Sequence, residues 1–106
     1  MAEDRPIWDA ARADDLLGAT VLVGLTRRTP SGDEQEQFYG VVLSVNASRG
    51  ITLRLEGERD GETYDLPPDL KAFDPAPPGE YRLRSTGEVV VDPDYLTSWT
   101  VDPPKQ

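Results

Sequence analysis

Along most of this chain apolar and polar residues alternate with a period of two, in short runs separated by glycine, proline and acidic residues. That is the pattern of half-buried strands joined by turns. In residues 20–26, Val21, Val23 and Leu25 alternate with Thr20, Leu22 and Gly24, which predicts a strand with one core face. Residues 27–37, with Pro30, Ser31, Gly32 and three acids, read as an exposed turn. Residues 38–46 resume as a strand with Tyr39, Val41, Leu43 and Val45 on one face, and a turn at 47–50 leads into Ile51, Leu53 and Leu55. These two adjacent strands are expected to form the centre of the core.

Before them, residues 6–17 read as a short helix with proline in its first turn and Gly18 as its stop. Its stripe of Ile7, Ala10, Ala11 and Leu17 is interrupted by Asp14, which suits a helix lying on the domain rather than inside it. After them, residues 56–61 form a charged turn and residues 62–66 a short strand ended by Pro67 and Pro68. Leu70, Ala72 and Phe73 are placed for one helical turn that pins a proline-bounded loop to the core. Residues 81–84 and 89–91 flank Ser85-Thr86-Gly87-Glu88, a hairpin signal. The last strand puts Tyr95, Thr97, Trp99 and Val101 on one face, and residues 1–5 and 102–106 are expected to be flexible ends.

Composition agrees with a mostly β chain. Nine glycines and ten prolines among 106 residues break the sequence too often for long helices, and the length suits one domain with one modest core. A helix followed by five to seven short strands in meander order describes a small barrel, in which one face of every strand makes the core. Leu17-Gly18, Val21, Val23 and Leu25, then Gly40, Val42 and Ile51-Thr52-Leu53, resemble the first motif of the Sm-like family over roughly the first half of the chain. The resemblance implies an SH3-like barrel that starts with a helix. Where that family's RNA loop carries an aspartate and, four residues on, an asparagine, this chain has Asn46 and Gly50, and its aliphatic-Arg-Gly step has no good match near Leu83-Arg84-Ser85.

Charge bears on the partners. The formal net charge is −9, and an acidic surface repels phosphate backbones and anionic membranes, so nucleic acid is a disfavoured partner. The acids concentrate in residues 56–74, where seven of them face only Arg59 and Lys71. Met-Ala-Glu-Asp-Arg-Pro at the start contains no apolar run, so neither a signal peptide nor a membrane span is expected there, and a cytoplasmic location follows.

Chemistry is limited by what is missing. With no cysteine and no histidine, the chain has no thiolate nucleophile, no cysteine-based metal site and none of the commonest general base. No cofactor is expected. Residues 56–62 begin as a calcium loop does, with oxygen ligands at alternate positions, but the twelfth position is Pro67 and Arg59 sits in the middle, so a solvated turn is the preferred reading. Asp65 with Asp69, or Asp92 with Asp94, are acid pairs of the kind that turns carry for capping and solvation. An enzyme would have to work through carboxylates or lysine.

What survives is a non-catalytic module that binds another, basic, protein, as adaptors and toxin-neutralising immunity proteins do; a diverged Sm-like nucleic-acid binder is the alternative. The candidate contact residues are Glu58, Asp60, Glu62 and Asp65 in the acidic stretch, with Leu70 and Phe73 as apolar contacts and Phe38 as an anchor if its side chain is exposed. The competing reading packs Phe38 under the N-terminal helix or under the loop of Leu70 and Phe73.

Overall fold

A computed structural model describes residues 10–102. It is mostly β, with one short helix, α1 (Ala10–Leu16), and eight strands: β1 (Thr20–Thr29), β2 (Gly32–Asn46), β3 (Gly50–Leu55), β4 (Thr63–Leu66), β5 (Asp74–Pro75), β6 (Glu80–Arg82), β7 (Val89–Val91) and β8 (Tyr95–Val101). Six strands form one sheet in the order β4-β3-β2-β1-β8-β5, and β6 and β7 form a separate two-stranded ribbon. No helix among the described residues is long and apolar enough to cross a membrane.

The expected barrel does not close. The outer strands β4 and β5 each have a single neighbour. Pro67 and Pro68 end β4 after four residues and Pro75 ends β5 after two, and proline brings no N–H with which such edges could pair. Residues 67–73 carry the chain from one edge of the sheet to the other, through a 3-10 turn at Leu70–Ala72 that buries Leu70 and leads into the fully buried Phe73. The predicted pin is therefore present.

The meander holds only for β1 to β4. β8 inserts between β1 and β5 and runs parallel to β1, with Val21 opposite Tyr95 and Leu25 opposite Trp99. Asp94 sets that register: its N–H donates to the Thr20 carbonyl at 2.9 Å, and its Oδ2 accepts from the Thr20 N–H at 2.9 Å. A strand start held by two bonds to one residue leaves the following residues one register in which Thr97 is buried and Tyr95 and Trp99 pack against the core. Val101, expected on that same face, is exposed.

Residues 27–37, expected as a turn, continue both strands. Arg27 to Thr29 pair with Gly32 to Glu34, so the loop shrinks to Pro30 and Ser31, and the Thr29 hydroxyl bonds the Gly32 carbonyl across it. A two-residue connection is the commonest hairpin loop. Charged side chains on both strands at the tip disguise it as a loop in sequence.

The largest departure is the face of β2. Pairing places Phe38 opposite Val23 and Gly40 opposite Val21, so Phe38 and Val42 point into the core with Val21, Val23 and Leu25. Val41 turns outward, and Leu43 is 48% exposed. A bulge between Val42 and Ser44 then shifts the strand by one residue, returning Val45 to the core side. The bulge lies beside the end of α1, where Gly18 donates to the Val42 carbonyl and Val42 donates to the Ala19 carbonyl. Ile51, Leu53 and Leu55 of β3 are fully buried as expected.

Gly18, in the left-handed region, ends α1. Its inward side chains are Ala13 and Leu16, whereas Ala10, Ala11 and Leu17, expected on the packed stripe, are exposed. The predicted helix start at residues 6–9 and the expected flexible ends, 1–5 and all of the C-terminal tail except Asp102, lie outside the described residues.

Candidate functional site

β3 does not stop cleanly at Leu55: the Glu56 N–H still donates to the Tyr39 carbonyl at 2.9 Å. Gly57, at φ +69, then turns the chain into a 3-10 turn, Gly57–Arg59. Asp60 donates to the Gly57 carbonyl, Glu62 to the Arg59 carbonyl and Leu55 to the Glu62 carbonyl. The charged segment is thus a compact, internally bonded connection into β4.

Beyond the end of β3 the free edge of β2 is taken by the ribbon. Gln37 donates its N–H to Ser85 Oγ at 3.2 Å and accepts at its carbonyl from the same hydroxyl, while its side-chain oxygen accepts from the Arg84 N–H. This seats the β6–β7 hairpin beside the 57–59 turn. The Glu88 carboxylate then accepts from the Glu58 N–H at 3.2 Å through one oxygen and from the Thr86 hydroxyl at 3.0 Å through the other. It occupies the space where a Cβ at position 57 would stand, next to the edge of the Tyr39 ring.

Three acids from two segments, Glu56 and Asp60 of the charged connection and Glu88 of the ribbon, therefore act on one half-buried phenol. Burial pushes the Tyr39 pKa above its ordinary value, and Glu88, Glu56 and Asp60 push it further, because each negative charge opposes formation of the phenolate. Tyr39 and Glu88 were absent from the sequence-derived candidates. Tyr39 falls on the strand face assigned to the core, and Glu88 lies thirty residues after Glu58, so only tertiary structure joins them.

The candidate residues divide. Glu58 and Asp60 are exposed at this corner. Glu62 is held by Arg59 at 3.0 Å, and Arg59 also binds Glu36 at 3.1 Å. Asp65 accepts from the Thr52 hydroxyl at 2.7 Å on the neighbouring strand. Phe38, Leu70 and Phe73 are buried, at 3%, 8% and 0% exposure, and so present no apolar surface to a partner. Phe38 lies under Arg59 and against Tyr64, a tilted ring pair 5.0 Å apart, and belongs to the same buried cluster as Leu16 of the helix and Leu70 and Phe73 of the loop.

Among the described residues no group of three or more acids is arranged to hold a metal ion. Toward the β5 edge of the sheet, Asp15, Leu17, Gly18, Ala19, Pro75, Asp94 and Tyr95 line a shallow cleft of about 490 Å³. Two carboxylates and no basic group line it, and one of them, Asp94, is already committed to the Thr20 N–H. Comparison of the chain with protein-family models, with curated proteins and with solved structures finds no match in any of the three.

Proposed function

We propose that the chain is a non-catalytic module that binds another protein, and that a basic surface of the partner meets the acidic corner of Glu58, Asp60 and Glu88 beside Tyr39. The observation that carries this reading is the seating of Glu88 against the Glu58 amide, which concentrates charge from two segments on a bonded, positioned surface. Clustered carboxylates on a rigid support speed and orient encounter with a cationic partner. Tyr39 supplies a ring with a polar tip, the kind of side chain that interfaces favour.

Arg27, Arg28, Arg54 and Arg59 are all committed to ion pairs with Glu36, Asp102, Glu56 and Glu62. Those four pairs, together with a formal net charge of −9, weigh against the Sm-like nucleic-acid reading. The test is kinetic. A partner recovered by pull-down from native lysate and identified by mass spectrometry is mixed with the parent protein and with the double variant Glu58→Gln, Asp60→Asn. The reading requires slower association for the variant and a weaker dependence on ionic strength; equal rates at low salt overturn it.

A further inference from the structure

The β6–β7 ribbon has a free edge with a defined hydrogen-bonding pattern. Glu80, Tyr81 and Arg82 lie opposite Val91, Val90 and Val89. Flanking them, Leu83 donates to the Glu88 carbonyl and Asp92 to the Gly79 carbonyl. Antiparallel pairs alternate between bonded and non-bonded, so within this register Tyr81 and Val90 exchange the ladder bonds. The N–H and C=O groups of Val89 and Val91 then point away from β6. Among the described residues, neither has a hydrogen bond to a part of the chain outside the ribbon. Their side chains are also uncovered, at 44% and 61% exposure, while Val90 between them is buried.

Two donors and two acceptors at alternate positions, beside exposed β-branched side chains, are what an incoming strand needs. A second copy of this chain fits poorly. Symmetric antiparallel pairing centred on Val90 would bring Glu88 to the end of the strand where Asp92 of the other molecule flanks it, twice, between chains that each carry −9. Centring on Val91 would bring Pro93, which has no N–H, opposite Val89. The same flanking acids favour a strand with a cation at each end.

Resting on the protein-binding reading above, we infer that β7 takes up an extended segment of a partner protein by antiparallel strand addition. The segment carries apolar residues opposite Val89 and Val91 and a Lys or Arg beyond each, within reach of the carboxylates of Glu88 and Asp92 that flank β7. Its approach begins at the acidic corner, because Glu88 belongs to both. Backbone bonds supply affinity, the valines select small apolar side chains, and the acids select the basic ends.

The probe is a blocked peptide containing Lys-Val-Thr-Val-Lys, added to the full chain and followed by amide-resolved NMR and hydrogen exchange. Saturable binding should slow exchange at the Val89 and Val91 amides, with Tyr81 and Val90 already protected in the free protein. N-methylation of the two peptide valine amides should weaken binding about tenfold or more, since it removes two backbone donors. Val91→Pro should do the same, because the N–H it removes serves no bond within the ribbon; retained protection at Val90 verifies that the ribbon still forms. Binding indifferent to N-methylation, with shifts confined to Glu58 and Asp60, overturns strand addition while leaving the protein-binding reading standing. Absence of binding, or concentration-dependent protection of Val89 and Val91 without peptide, also overturns it, the latter in favour of self-association.

Discussion

Arg59 lies over the ring of Phe38, its guanidinium carbon 4.9 Å from the ring centroid, while its nitrogens hold Glu36 and Glu62. One side chain thus caps an edge of the core and ties the 57–59 turn to β2 and to the start of β4. The two ion pairs are partly exposed and contribute modestly; the cation over the ring and the covered aromatic surface contribute more. Arg59→Gln is expected to cost about 1–2 kcal/mol in urea denaturation. Arg59→Lys should recover only part of this, since an ammonium cannot stack and bridge two carboxylates together.

The face of β2 makes a sharp pair of expectations. Val42 is 2% exposed and Leu43 48% exposed. Val42→Ala should cost about 1–3 kcal/mol and Leu43→Ala less than about 1 kcal/mol, although leucine loses more atoms. Equal losses, or a larger one at Leu43, would return the strand to the register expected from alternation.

Tyr39 provides a readout of the acidic corner. Its phenol should ionise above the usual tyrosine value of about 10 in a spectrophotometric titration. Glu88→Gln should lower that pKa without restoring it fully, because burial is the larger cause. The folded pKa is raised, so the folded state holds the proton more tightly than the unfolded chain. Any stability attached to Tyr39 is therefore complete below the unfolded pKa and is lost as pH rises through the folded one. A Tyr39→Phe variant should lose less stability than the parent across that alkaline window.

Nucleic acid offers the clearest separation of readings. Mixed-sequence single-stranded RNA should show no anisotropy change with this protein at physiological salt. Saturable binding at micromolar concentration or tighter, weakening steeply as salt is added, would replace the protein-binding proposal with the Sm-like one.

Where local rules decide, the sequence alone determined the structure. The inward faces of β1 and β3 follow from strict alternation in Val21, Val23 and Leu25 and in Ile51, Leu53 and Leu55. The stop at Gly18, the 85–88 hairpin turn and the pin of Leu70 and Phe73 follow from glycine and proline chemistry with apolar residues between. β2 could not be read this way, since Val41-Val42-Leu43 is apolar on both faces and a bulge breaks the period. Its register was settled by pairing Phe38 against Val23. The parallel position of β8 depended on Asp94 reaching Thr20, seventy-four residues away. The candidate site was least legible. Acidic charge was visible in the sequence, but burial took Phe38, Leu70 and Phe73 out of reach, ion pairing occupied Glu62, and Glu88 reached Glu58 only through the seating of the ribbon on Gln37. Such contacts join residues whose separation along the chain carries no periodic signal, so the pattern of polar and apolar positions specified the strands and the tertiary structure specified which surfaces remained to act.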